Sequence, residues 1–199
     1  VLDARIRLVA DSGAAPASDR LAIKPYPREL EEDVPLADGR TLWLRPVLPE
    51  DEPSLQRAFG MLTPDEIYLR FFAPLKALSH AMATRFTQID YDRQMVLIRT
   101  ERGAPGTTEY YGSVNIVCDP DMQRAEYAIL VRHDMTGMGL GSLLMRRIIA
   151  YARQRGIQEV FGEVLSQNHG MLSLCQQLGF RLEANPHDQS VVTVRLPLG

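Results

Sequence analysis

The spacing of apolar residues changes period several times along the chain, and each change marks an element. Residues 41–47 read as a strand after the Asp38-Gly39 turn, and residues 50–61 as a helix. Thr63-Pro64-Asp65-Glu66 places a capping threonine, a proline at the first helical position and a glutamate three residues after the cap. A second helix therefore starts there and runs to about Phe72. Ser79 can cap a third, to about Thr87. Residues 95–100 and 110–118 read as strands flanking the loop 102–108, a hairpin. Next comes the strand-like run Ala125-Glu126-Tyr127-Ala128-Ile129-Leu130-Val131. Leu140, Leu144, Ile148 and Tyr151 then share one face of a helix from about Gly141 to Arg155, closed by Gly156. A strand over 159–165, a short helix opened by Asn168 and ended by Leu178-Gly179-Phe180, and strands near 182 and 193 complete the succession. Seven strands are predicted in all.

The segment between the 125–131 strand and its following helix carries the strongest chemical signal. In Asp134-Met135-Thr136-Gly137-Met138-Gly139-Leu140-Gly141-Ser142, three alternate glycines run into an amphipathic helix. A turn without side chains lets successive backbone N–H groups converge, and the helix N-terminus adds the positive end of its dipole, so a pyrophosphate can be held without a basic side chain. Gly141 is followed by Ser142 and Leu143 rather than Lys-Ser/Thr, which argues against a nucleotide triphosphatase. The dinucleotide fingerprint would need glycine at 142 or 144, where Ser142 and Leu144 stand.

The order strand, glycine turn, helix, strand, short helix resembles the GNAT family of acyl-CoA-dependent N-acyltransferases. Its signature Gln/Arg-x-x-Gly-x-Gly/Ala falls on Thr136 to Gly141, with Thr136 in place of the usual first residue. Around that core, Leu21-Ala22-Ile23-Lys24-Pro25-Tyr26-Pro27, Leu44-Arg45-Pro46, Ile67-Tyr68-Leu69-Arg70-Phe71-Phe72, Leu78-Ser79-His80 and Gln88-Ile89-Asp90-Tyr91-Asp92-Arg93 are similar to the acyltransferase half of bacterial Pat-type protein lysine acetyltransferases. The resemblance covers roughly residues 21–198. It implies an α/β GNAT fold, with a mixed central sheet of about seven strands, flanking helices, and an acyl-CoA cleft where the fourth and fifth of those strands, near 128 and 162, splay apart. Acetyl-CoA would be the cosubstrate and AMP-forming acyl-CoA synthetases the client proteins.

Bulk properties agree with one catalytic domain. The 199 residues, 45% apolar and 24% charged, can bury one substantial core. A net charge of -3, with no basic block interleaved with aromatics, argues against nucleic acid as a partner. Cys118 and Cys175 form no metal or disulfide pattern, the four histidines show no ligand spacing, and no apolar run approaches the roughly 18 residues of a membrane span. No metal is expected, and a reducing cytoplasm fits the cysteine usage. Residues 1–20 read differently: an alternating segment over 3–8, then a small-residue linker over 10–18, in a chain that starts at Val1. They are expected to be the end of a preceding acyl-CoA synthetase-like domain plus a linker, with the GNAT domain over 21–199.

Acetylating a lysine requires its free amine, which at pH 7 lies about 4.6 kcal/mol above the ammonium. A carboxylate base is the remedy. Side chains alternate along the 125–131 strand, so Glu126 shares a face with Ala128 and Leu130. By itself Glu126 reads more readily as a solvated residue; the resemblance makes it the general base. The resemblance also assigns the pantetheine arm to the backbone of Ile129, Leu130 and Val131 and to Asn168, for which a helix N-cap is the alternative. Thr136, Gly137, Met138, Gly139, Leu140, Gly141 and Ser142 would hold the pyrophosphate. Arg146 and Arg147 could reach a phosphate or simply be solvated. Many GNAT enzymes protonate the departing thiolate with a tyrosine at the position held here by Cys175, which reads as a small buried residue. Direct attack in a ternary complex follows. A small-amine acetyltransferase and a non-catalytic CoA-sensing module remain as alternative readings.

Overall fold

The computed structural model describes residues 24–36, 38–186 and 188–199. The expectation of a domain remnant over 1–20, the Leu21 to Ile23 part of the resemblance and His187 lie outside them. An eight-stranded sheet organises the rest: β1 (Glu32–Pro35), β2 (Thr41–Pro46), β3 (Gln94–Thr100), β4 (Tyr110–Cys118), β5 (Arg124–Val131), β6 (Glu159–Leu165), β7 (Arg181–Ala184) and β8 (Val191–Pro197), in the order β1-β2-β3-β4-β5-β6-β8-β7. Seven match the predicted strands; β1, a short edge strand ending in Pro35, is additional. Every pairing is antiparallel except β5 with β6.

Helices cover both faces. α1 (Glu52–Gly60), α2 (Pro64–Phe71) and α3 (His80–Thr87) pack on one, while α4 (Leu140–Gln154) lies across the other and α5 (His169–Gln177) joins it near β7. Strand alternation divides the core accordingly. Met95, Leu97, Val114, Ile116, Ala125 and Tyr127 belong to a cluster with Leu140, Leu144, Met145 and Ile148 of α4. Val96, Ile98 and Tyr110 belong to a second cluster with Leu55, Phe59 and Ile67.

Local chemistry sets the helix starts. Thr63 and Glu66 close a reciprocal box: the Thr63 N–H donates to Glu66 Oε2 at 2.7 Å and the Glu66 N–H to Thr63 Oγ1 at 3.2 Å. Ser79 Oγ accepts from the Met82 N–H at 3.3 Å. A fully buried ion pair ties β2 to the turn before α1. Arg45 NH1 and NH2 each lie 2.6 Å from an Asp51 carboxylate oxygen, and Asp51 also accepts from the Leu48 N–H at 2.8 Å. Such a pair is tolerable inside a core because each charge meets its opposite and further donors fill the remaining lone pairs.

Candidate active site

The site begins where β5 and β6 stop pairing. Only Arg124, Ala125 and Glu126 are in register with Glu159, Val160 and Phe161; beyond them the two strands diverge. Tyr127 turns its ring into the core over Gly162, so that a Cβ on Gly162 would sit 2.6 Å from Tyr127 Cε1. Phe180 meets the ring edge-on at 5.5 Å between centroids, and the phenol oxygen lies 3.1 Å from Cys175 Sγ. A fixed aromatic ring thus occupies the apex of a V between the strands. The V opens into a cleft of about 700 Å³ lined by β5, α2, the start of α4 and the Asn168 end of α5.

Backbone groups on the open edge of β5 follow from its pairing with β4. The Arg132 N–H donates to the Tyr111 carbonyl at 3.1 Å, and antiparallel alternation puts the backbone groups of Leu130 and Ala128 on that same side. Those of Ile129 and Val131 face the gap. Leu130 enters the cleft through its side chain. An extended amide-bearing ligand laid along this edge would therefore bond to Ile129 and Val131 in the manner of an added strand.

At the wide end, Gly137 and Gly139 adopt φ values of 84° and 77°, and a Cβ at either would meet nothing within 4 Å. Their need for glycine is conformational, not steric. Gly139 occupies the cap position of α4 with no side-chain cap, which leaves the first N–H groups of the helix for another acceptor. Arg40 lies against the loop, with its NH2 3.7 Å from Met135 Sδ and 3.8 Å from Met138 Sδ. Thr136 and Gly141 line the cleft. Arg146 bonds to Ser142 Oγ at 3.3 Å on the exposed face of α4, and Arg147 pairs with Glu32. Asn168 caps α5, its Oδ1 accepting from the Met171 N–H at 3.1 Å, while still lining the cleft.

Glu126 stands at the apex end, exposed, on the α2 side of the sheet. Arg70 of α2 faces the same cleft and donates to Asn115 Oδ1 at 3.2 Å, with its guanidinium 4.9 Å from the Phe71 ring centroid. Burial lowers the Arg70 guanidinium below the usual arginine range, while Tyr110 and Glu126 pull it back up. Glu66 and Glu163 also line the cleft, and His133 Nδ1 lies 3.3 Å from Glu66 Oε2. Cys175 is fully buried; burial raises its thiol pKa, and the Tyr127 hydrogen bond offsets part of that. Residue spacing gave no reason to single out Arg40, Arg70, Glu163 or Gly162, because each acquires its place from a strand or helix distant in sequence.

Comparison with known proteins agrees with this geometry. The chain is 30% identical over 163 residues to an acetyltransferase of Pseudomonas aeruginosa, covering 82% of this chain and 87% of that one. It is also 30% identical over 172 residues to the acetyltransferase Pat of Mycolicibacterium smegmatis, spanning 82% of this chain but about half, 47%, of the relative. The GNAT domain of PAT from S. lividans superposes with a TM-score of 0.78 at 30% identity, over 87% of this chain and all of that domain. A sequence model of the acetyltransferase (GNAT) family matches residues 66–180, the stretch that builds α2, the splayed strands, the glycine turn and α5. With a splayed β5/β6 pair, a side-chain-free turn at the helix that follows and relatives matched along most of its length, the chain belongs to the acetyltransferase (GNAT) family.

Proposed function

We propose that this acetyltransferase transfers acetyl from acetyl-CoA to lysine side chains of a client protein, by direct attack in a ternary complex with Glu126 as general base. The observation that carries the reading is the placement of Glu126 at the apex of a strand-lined cleft whose far end is bordered by Thr136 and Gly141, the two ends of the glycine turn. The pyrophosphate lies on the N–H groups from Gly137 to Ser142, and the pantetheine follows the Ile129 and Val131 edge towards Glu126. Asn168, already committed to capping α5, borders the arm.

The reaction needs little else from the protein. Glu126 accepts a proton from the ammonium, directly or through one water. The free amine nitrogen attacks the thioester carbonyl, the C–N bond forms, the nitrogen gives up its second proton to solvent, and the C–S bond of the tetrahedral intermediate breaks to release the CoA thiolate. Cys175 supports the direct route. A buried thiol whose pKa is raised and which is hydrogen-bonded to a phenol is neither a ready nucleophile nor a ready proton donor, so solvent protonates the thiolate. Holding both substrates in one cleft supplies much of the rate.

Similarity to Pat and to the GNAT domain of PAT supports a protein lysine as acceptor, and AMP-forming acyl-CoA synthetases as the clients to try first. Acetylation would silence such a client by removing the charge of a lysine. The test is intact-mass analysis of purified synthetases incubated with acetyl-CoA and the chain, with polyamines in parallel. Wild-type protein adds an acetyl group to a synthetase; Glu126→Gln lowers kcat/KM by about 10²–10⁴-fold while CoA affinity stands. Acetylation of polyamines alone, or a fully active Glu126→Gln, refutes the proposal.

A further inference from the structure

Two successive phenylalanines end α2 in opposite situations. Phe71 is anchored, its ring 5.8 Å from Phe59 and 6.2 Å from Phe86 between centroids. Phe72 is 39% exposed and lies on the wall of the cleft that holds Glu126. Its backbone has φ 55° and ψ 18°, the left-handed region, while its N–H still donates to the Tyr68 carbonyl at 2.9 Å. At this position of a helix terminus glycine is the ordinary occupant and asparagine the next, because a Cβ is disfavoured there. Among the described residues only Met122 is another non-glycine with positive φ.

A bulky side chain held in a disfavoured backbone conformation, outside both core clusters and with 39% of its surface open, is not explained by core packing or by solubility. A backbone outlier on a cleft wall points to recognition. The cleft supplies the complement: Glu126 and Glu163 offer carboxylates, with Arg70 held to Asn115 and Glu66 to its capping box, and Phe72 offers an aromatic face. That combination fits a long aliphatic stem ending in a cation. We propose that Phe72 is a specificity-determining residue, receiving the methylene stem of the incoming lysine while Glu126 takes its proton. The inference rests on the acetyl-transfer reading above and adds how the acceptor is selected: a short amine has no stem to lay on the ring.

A probe that spans both substrates tests it without a client: CoA joined through an acetyl bridge to Nε of Nα-acetyl-lysine amide, titrated against CoA alone. Wild-type protein binds the conjugate more tightly than CoA. Phe72→Asn, which suits the left-handed backbone, weakens the conjugate about tenfold, the loss of roughly two buried methylenes, and leaves CoA affinity unchanged. Its Tm is unchanged or higher, because strain has been relieved. Phe72→Tyr restores conjugate affinity. The proposal is overturned if Phe72→Asn binds the conjugate like wild type, if it loses CoA affinity equally, or if its Tm falls by several degrees, which would make the ring structural. Wild-type protein that binds the conjugate no better than CoA would instead refute the lysine-acceptor reading beneath it.

Discussion

Substituting Gly162 by alanine tests how firmly the Tyr127 ring is held where β5 and β6 part. The new Cβ would lie 2.6 Å from Tyr127 Cε1, 3.0 Å from Cδ1 and 3.1 Å from Cζ. Comfortable carbon contacts begin near 3.5 Å, so the ring must retreat by about an ångström. It has little room to do so, because Phe180 stands against it at 5.5 Å and the phenol oxygen is 3.1 Å from Cys175 Sγ. Overpacking a core position with this rigidity costs about 1–3 kcal/mol. For a chain of this size each kcal/mol moves Tm by about 2–4 °C, so Gly162→Ala should melt roughly 2–12 °C lower. Differential scanning calorimetry of Gly162→Ala, Tyr127→Leu and the double variant measures it. Removing the ring relieves the clash, so the double variant should be more stable than the sum of the single losses allows. Strict additivity, or a wild-type Tm for Gly162→Ala, would refute the claim that the ring is fixed at the apex.

Other consequences are open to direct measurement. Asp51→Ala leaves the Arg45 guanidinium buried without its partner and should cost about 3–5 kcal/mol in urea unfolding. Asp134 is held below its ordinary pKa of 3.8, first by its hydrogen bond to Arg132, so its contribution to stability is present above that value and is lost as pH falls through the lower folded value. Asp134→Asn should therefore lower Tm at neutral pH, with the variant and wild-type curves converging as pH falls below the folded value. Gly139→Ala meets no atom within 4 Å but must keep φ near 77°, at a cost of about 1–2 kcal/mol. Its CoA dissociation constant should rise several-fold by titration calorimetry, and an unchanged value would show that the turn is not the pyrophosphate seat.

Sequence legibility followed the range of the determining interaction. The caps at Thr63, Ser79 and Asn168 act within three residues, and all three form as read. The apolar stripe of α4 is equally local: Leu140, Leu144 and Ile148 are fully buried. β1 escaped notice because Glu32, Asp33 and Pro35 give it no strand composition, and its pairing with β2 is what makes it a strand. The Tyr127 and Gly162 contact spans two strands with α4 between them in sequence, and nothing local in either residue announces it. Phe72 shows another limit: the helix stop was read at about the right residue, but a phenylalanine gives no sign that its backbone will turn left-handed.

The three-position register between β5 and β6 also has a mechanical meaning. The sheet is two leaves, β1 to β5 and β6-β8-β7, bound along a short spine at residues 124–126 and 159–161 and braced by α4. Within β5, hydrogen exchange should accordingly be faster along the unbound margin, at the amides of Ile129 and Val131, than at those of Ala128 and Leu130. A pantetheine lying there would stitch the margin shut, stiffening the molecule along its one open fold.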